Sequence, residues 1–183
     1  LGTRRNRIDE DQMYAVARAI EDHHIDGLIL VGGIAGYQTI HRLAAERTRF
    51  PSLAIPIVCV PATIDNNLPG TELSIGSDTA LNTIVESIDR IKQSAMAANR
   101  CFVIETMGRH CGYLALMSAM STGAEQVYFP EEGITLTQLA TDVERMRARF
   151  TTGRSLFLVV RAEGADEYYT TDAISRVFEA EGG

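Results

Sequence analysis

The 183-residue sequence is long enough for one domain of ordinary size or two small ones, and its 45% hydrophobic and 22% charged content is ordinary for a globular protein. A net charge of −7 argues against general nucleic-acid binding, because a surface that follows phosphates needs a basic excess. No run approaches the ~18 apolar residues that a membrane helix requires, and the odd cysteine count fits a reducing compartment. We therefore expect no signal peptide and a cytoplasmic protein.

Helical and strand patterns alternate along the chain. The strand runs are continuously apolar, which is typical of a parallel sheet covered on both faces. We expect Ser77 or Asp78 to cap one helix and Thr135 to begin another. In chain order the periodicity predicts helix 9–23, strand 27–31, strand 54–61, helix 77–98, strand 101–106, helix 112–121, strand 126–130, helix 135–150, strand 155–160 and helix 170–181.

This alternation predicts an α/β fold with a doubly wound, mostly parallel, Rossmann-like sheet in two lobes. We expect residues 1–98 to form part of the larger lobe and residues 99–183 to form the smaller lobe. The sequence has no initiator Met and finishes in EAEGG, so we expect the fold to be incomplete at both ends and the chain to be part of a longer protein.

Polar or glycine-containing loops follow the predicted strands. Ligands of open parallel sheets bind beyond the carboxyl ends of the strands, so these loops predict a cleft. PEEG and the Glu/Arg run at 144–149 have the composition of solvated surface. The loops are GGIAGY (32–37), PATIDNN (61–67), MGRHCGY (107–113), PEEG (130–133) and EGAD (163–166).

The first two loops each allow two interpretations. The glycines of GGIAGY, beginning with Gly32 and Gly33, either let the backbone approach a phosphate or form a tight turn. In PATIDNN, Thr63 could donate to a phosphate oxygen and Asp65 could accept a proton from a substrate hydroxyl. Alternatively, the Asp and Asn side chains of this loop only stabilise a turn.

The third loop and the last one offer groups for an anion. Met107, Gly108 and Arg109 would present backbone N–H groups and a guanidinium at a strand exit. Glu163 would point into the cleft, or it is a solvated loop carboxylate. His110 is either an acid–base group or a packing residue, and we do not expect the adjacent cysteine to be a nucleophile.

Taken together, these loops resemble the 6-phosphofructokinase family. The segments PATIDNNLPGTELSIGSDTALNTIVESIDRIKQSA and VIETMGRHCGYLALMSAMSTGAE carry the resemblance, which extends from LGTRR to VVRAEGA. The combination of TIDN with MGR-x-CG at this separation is highly specific. The resemblance implies transfer of a phosphoryl group from MgATP, or from pyrophosphate in some members, to the C1 hydroxyl of fructose 6-phosphate. It also implies two parallel-sheet lobes and homo-oligomers, tetrameric or larger, with sites at subunit interfaces.

The resemblance also implies roles for residues of the PATIDNN and MGRHCGY loops. Asp65 matches the catalytic base of the family, and Thr63 matches a residue that contacts the transferred phosphoryl group. Met107, Gly108 and Arg109 match the sugar-phosphate loop, with Arg109 also stabilising charge in the transition state.

Three further residues match ligand-binding positions. Glu163 matches an acid that hydrogen-bonds the sugar, and Arg100 matches an arginine that reaches the sugar phosphate of a neighbouring subunit. Arg5, in LGTRR, matches an arginine near the transferred phosphates, on the same side as Gly32 and Gly33.

The chain departs from the catalytic pattern of the family at the nucleotide side. Catalytic members read GGDGS where this chain reads GGIAG at 32–36, so Ile34 stands in place of the aspartate that serves Mg²⁺. An apolar side chain cannot supply the oxygen ligand that Mg²⁺ requires, so we expect no metal ligand here. Asn67 replaces the second aspartate of TIDND, and Ala35 disfavours the pyrophosphate-using variant.

Three readings follow from this mixture. In the first, the chain resembles the C-terminal, regulatory half of the duplicated eukaryotic enzyme, in which the former active site binds fructose 2,6-bisphosphate as an effector. In the second it is a catalytic half, because Asp65 and Arg109 match the catalytic pattern where the regulatory half usually has Ser and Gly. In the third it is a non-catalytic structural module that keeps the fold for contacts with other halves or subunits.

Overall fold

A computed structural model describes residues 8–95 and 100–182. Every predicted helix and strand is present, with its ends shifted by a few residues, and the predicted helical residues 96–98 lie outside the described part. For one further helix, which follows the GGIAGY turn, the sequence patterns gave no predicted bounds. The helices are α1 (Glu10–Asp22), α2 (Ile34–Ala45), α3 (Ser77–Ala95), α4 (Tyr113–Thr122), α5 (Leu136–Thr151) and α6 (Thr171–Gly182), with 3₁₀ turns at Glu46–Thr48 and Pro51–Leu53. The strands are β1 (Leu28–Gly32), β2 (Ile57–Pro61), β3 (Arg100–Thr106), β4 (Gln126–Tyr128) and β5 (Leu156–Ala162).

The strands form two sheets in which every pairing is parallel. One sheet pairs β1 with β2, and the other has the order β3–β5–β4. Helices connect the parallel strands, as such connections require. The α/β class and the parallel pairing predicted from the sequence are therefore confirmed. Across residues 8–95 and 100–182, no helix is long and apolar enough to span a membrane.

The described chain divides into two compact units. The first contains the chain up to Thr63 together with Leu68–Ile75, and the second contains Ile64–Asn67 and the chain from Gly76 onward. Helix α3 packs with the second of these compact units. Ile88 of α3 is fully buried in a cluster with residues of α4 and β5, and the ammonium of Lys92 donates to the Thr122 carbonyl over 2.7 Å.

Strand β5 is the centre of the second unit. Its alternate side chains point to opposite faces of the sheet, and both faces are covered. Phe157 and Val159 pack with α5 and α6, whereas Leu158 and Val160 pack with α3 and α4. Helix α5 begins as predicted at Thr135, whose hydroxyl forms a capping box with Gln138.

The β1–β2 sheet differs from the expectation of two covered faces. Its inner face packs against α1, α2 and the Pro51–Leu53 turn. On the other face, Ile29, Val31 and Val58 are 76%, 60% and 57% exposed. Ile29 and Val58 are register partners, so the exposed side chains form one continuous apolar strip.

Helix α5 provides a matched test of this core. Leu139 is fully buried, whereas Leu136, one turn earlier, is 65% exposed. We expect Leu139→Ala to lower the free energy of unfolding by about 2–5 kcal/mol, because the substitution removes buried methyl groups and leaves a cavity. Leu136→Ala should change it by about 0.5 kcal/mol or less. Urea unfolding of the two variants measures the difference, and equal losses would contradict the assigned core.

Candidate functional site

The ends of β3 and β5 lie side by side, which places two of the predicted loops together. Thr106, the last residue of β3, is the register partner of Ala162, the last residue of β5. The next residue, Glu163, donates its backbone N–H to the Thr106 carbonyl over 2.8 Å. We call this end of the β3–β5–β4 sheet the carboxyl edge. Loop 107–112 and loop 163–169 both begin there.

One glycine allows these loops to touch, and a second shapes loop 107–112. A Cβ atom on Gly164 would lie 1.8 Å from the Arg109 carbonyl oxygen, so only glycine fits against that backbone. Gly108 has a φ of +131°, and a Cβ there would lie 2.4 Å from the carbonyl oxygen of Cys111. The structure thus brings Gly108, Arg109 and Glu163 to one edge, where Met107, Arg109 and His110 are exposed and Glu163 is half-buried.

A carboxylate occupies the start of helix α4. The Gly112 N–H, at the N-cap of α4, donates to both carboxylate oxygens of Glu131 over 2.9 and 3.0 Å. A negative charge at this end of the helix interacts favourably with the helix dipole. Glu131 is exposed, as its loop composition indicated, but the interpretation of PEEG as merely solvated surface is incomplete. Glu131 fixes the last residue of the MGRHCG loop.

In the first unit, the glycine turn after β1 contacts the loop after β2. The Ala62 N–H donates to the Gly32 carbonyl over 3.0 Å, and a Cβ on Gly33 would lie 3.2 Å from the Thr63 Cβ. The hydroxyl of the buried Ser74 donates to the Thr63 carbonyl over 2.5 Å. Gly33 and Thr63, which the sequence assigned to the phosphate side, are therefore neighbours.

Helix α2 begins directly after this turn. Gly33 is its N-cap without a side-chain hydrogen bond, Ile34 is its first residue, and its first turn contains no acidic residue. Mg²⁺ prefers carboxylate and water oxygens, which Ile34 cannot supply. Within the described ranges, no group of three or more His, Cys, Asp and Glu side chains could hold a metal ion. The first turn of α2 therefore offers no acidic ligand for Mg²⁺.

The other predicted site residues are Asp65, Arg100 and Arg5. Asp65 belongs to the second unit and lies in a turn next to Asn66, which has a φ of +50°, whereas Thr63 belongs to the first unit. Arg100 is the exposed first residue of β3, so the length of the strand separates it by about 20 Å from Thr106 at the carboxyl edge. Arg5 lies outside the described residues.

Two strand cysteines have raised pKa values. Burial, with a smaller contribution from Glu125, raises the pKa of the Cys101 thiol to about 12. Burial also raises the pKa of Cys59, although a hydrogen bond with Tyr37 acts in the opposite direction. Both thiols stay protonated near neutral pH, so they are poor nucleophiles.

Sequence reasoning missed three charged residues that organise this edge: Glu105, Glu131 and Arg161. Arg161 is 2% exposed and pairs with Glu105, its register partner on β3. An arginine inside the apolar run FLVVRA was the available signal, because a buried guanidinium needs a carboxylate nearby.

Comparison with known proteins identifies close relatives over the whole sequence. The family profile for phosphofructokinase matches residues 1–183. The chain is 44% identical to ATP-dependent 6-phosphofructokinase 1 of Caenorhabditis elegans over 183 residues, which are 100% of this chain and 22% of that protein. It is 42% identical to ATP-dependent 6-phosphofructokinase of Dictyostelium discoideum, again over 100% of this chain and 22% of the relative.

A solved structure shows the same fold. The crystal structure of Pichia pastoris phosphofructokinase in the T-state aligns with a TM-score of 0.93 and 43% identity, covering 98% of this chain and 21% of that one. The chain therefore spans about a fifth of the length of the relatives that it matches.

The contact between Gly164 and Arg109 can be tested by stability. Gly164→Ala should lower the free energy of unfolding by about 1–3 kcal/mol, because the added methyl group would overlap the Arg109 backbone and force the loops apart. Gly27→Ala is the control, since a Cβ there would be 3.4 Å from its nearest neighbour, an ordinary contact. Urea unfolding compares the two variants, and a Gly164→Ala protein as stable as the control would contradict the loop contact.

Proposed function

Because the chain belongs to the phosphofructokinase family, we propose that it is part of an ATP-dependent 6-phosphofructokinase and binds a fructose phosphate there as a regulatory effector half. The complete enzyme transfers the terminal phosphoryl group of MgATP to the C1 hydroxyl of fructose 6-phosphate and gives fructose 1,6-bisphosphate. We also propose that the enzyme is cytoplasmic.

The carboxyl edge of the second unit carries the proposal. It combines an exposed guanidinium at Arg109, a glycine backbone at Gly108 and a carboxylate at Glu163 on two loops in direct contact. A guanidinium binds phosphate oxygens through paired hydrogen bonds, and a carboxylate accepts hydrogen bonds from sugar hydroxyls. These groups suit a phosphorylated sugar, with Met107 completing the loop.

The regulatory role is supported by the start of α2. The first turn of this helix has Ile34 and no carboxylate, and Asn67 adds an amide where a second acid would strengthen metal binding. Binding of a sugar phosphate at the carboxyl edge uses neither position. Such binding should therefore be independent of Mg²⁺, with fructose 2,6-bisphosphate as the proposed effector.

Arg100 supports an assembly with other copies or halves of the enzyme. It is exposed at the amino end of β3, a strand length away from Arg109. A cation in that position suits contact with the sugar phosphate of a neighbouring subunit better than contact with the ligand of its own chain. We propose a homo-oligomer, tetrameric or larger, in which Arg100 acts in this way.

A catalytic half is the second candidate. The chain retains Asp65 as a possible general base and Thr63 as a possible phosphoryl contact, and Thr63 lies against Gly33. Arg5 and the Gly32–Gly33 turn would then lie on the phosphate side. A purely structural module is the third candidate, and it would bind no sugar phosphate at all.

Calorimetric titration of the full-length enzyme tests the regulatory proposal. We expect fructose 2,6-bisphosphate to bind equally well with Mg²⁺ and with a chelator, and Arg109→Ala to weaken this binding at least about tenfold, since a charge-assisted hydrogen bond contributes about 1.5–3 kcal/mol. Arg176→Ala, on the exposed surface of α6, is the matched control and should bind normally. If a folded, assembled enzyme shows neither binding of fructose 2,6-bisphosphate nor a rise in melting temperature with it, the regulatory proposal is wrong.

Turnover of an Asp65→Ala enzyme separates the regulatory and catalytic candidates. If Asp65 is the general base, kcat should fall by about 10²–10⁴-fold, because no other group accepts the proton. Under the regulatory proposal, kcat without effector should stay unchanged. Glu144→Gln, an exposed carboxylate change on α5, is the control for nonspecific effects on activity.

A further inference from the structure

Arg161 is a fully enclosed positive charge at the end of β5. It is 2% exposed, although the preceding residues of the strand, 156–160, are all apolar. Arg161 continues the row of Phe157 and Val159, whose side chains face α5 and α6. It stands where that apolar row ends and the carboxyl edge begins.

The guanidinium is directed at the loop that follows the strand. Three backbone carbonyls of loop 163–169 accept its hydrogen bonds. Nε donates to Tyr169 over 3.1 Å, Nη2 to Asp166 over 2.7 Å, and Nη1 to Glu163 over 3.3 Å. One side chain thus holds the beginning, the middle and the end of the loop.

Glu105 supplies the opposite charge. Arg161 Nη1 lies 2.8 Å from Glu105 Oε2, and the two residues are register partners on the paired strands. The Thr171 hydroxyl, at the first residue of α6, donates to the same carboxylate oxygen. A buried guanidinium is stable only when it is paired and hydrogen-bonded, and this arrangement meets both conditions.

We propose that Arg161 is a positioning residue that holds loop 163–169 and thereby fixes Glu163 relative to Arg109. Glu163 is two residues beyond Arg161, and its neighbour Gly164 is in backbone contact with Arg109. The inference rests on the proposed function, because it makes the alignment of a sugar-phosphate ligand depend on a residue that does not touch it.

The planar fork of arginine is essential to this role. Lysine would retain the positive charge beside Glu105 but has a single flexible ammonium group, which cannot reach three separate carbonyls in fixed directions. An apolar side chain could fill the same core volume, and buried ion pairs are often replaceable in that way without loss of stability. Neither substitute would orient the loop.

Within the loop, Asp166 adds local order. Its Oδ1 atom accepts from the backbone N–H groups of Tyr168 and Tyr169 over 2.7 and 2.9 Å. The Ala165 N–H donates to the Ala162 carbonyl over 3.0 Å. These amides report on the loop directly, because their exchange with solvent requires the loop to open.

Hydrogen exchange of the full-length enzyme tests whether Arg161 holds loop 163–169. In Arg161→Lys, we expect the amides of residues 163–169 to exchange at least about tenfold faster than in the unmodified enzyme, with α5 unchanged. Ile88→Ala is the matched control, because it destabilises the same unit from a fully buried position on α3, in a core cluster that contains no residue of loop 163–169. Arg161→Met is a second variant that tests the same loop without the charge. Unchanged exchange of the loop amides in both Arg161 variants would overturn the inference.

Ligand affinity tests the consequence for Glu163 and Arg109. Arg161→Lys should raise the Kd for fructose 2,6-bisphosphate about tenfold or more, whereas Ile88→Ala should change it less than about twofold below its melting temperature. Equal weakening in both variants would show that Arg161 acts through stability alone and would overturn positioning. If the unmodified enzyme binds no fructose phosphate, the proposed function fails. The exchange rates alone then show whether Arg161 holds loop 163–169.

Discussion

The in-register parallel pairing of β3 with β5 is the constraint on which the second unit depends. It ends both strands at the same level, Thr106 beside Ala162, so the loops that follow start together. It also sets Glu105 opposite Arg161 on the same face of the sheet. A shift of one residue would move the guanidinium into the cluster around Leu158 and Val160, away from its carboxylate, so the ion pair itself opposes slippage.

Two arginines at this edge serve different physical purposes. The guanidinium of Arg161 donates its hydrogen bonds to carbonyls of loop 163–169 and pairs with Glu105. It can therefore order the backbone of that loop but cannot bind a ligand. Arg109 is exposed, and its backbone is fixed by the contact with Gly164. A chain with a net charge of −7 can therefore present a local cation, because position within the fold matters more than total charge.

The features predicted correctly from sequence depend on short-range patterns. Apolar runs located the strands, Thr135 located the start of α5, and polar loops located the carboxyl edge. The link from Gly112 to Glu131 spans 19 residues, and the one from Arg161 to Glu105 spans 56, so neither follows from local spacing. The placement of α3 with the second unit and the exposed strip on β1–β2 also depend on packing between distant segments.

Under the proposed function, the division into units gives a physical reason why sugar-phosphate binding and metal–nucleotide binding can separate. Gly33, Ile34 and Thr63 belong to the first unit, whereas Arg109 and Glu163 belong to the second. The contacts that shape the carboxyl edge, from Gly164 against Arg109 to the hydrogen bonds of Arg161, lie entirely in the second unit. Ile34, at the start of α2, supplies no oxygen ligand and takes part in none of these contacts. Under the proposed function, such a chain still binds a fructose phosphate but no longer binds a phosphoryl donor. An effector site requires this combination.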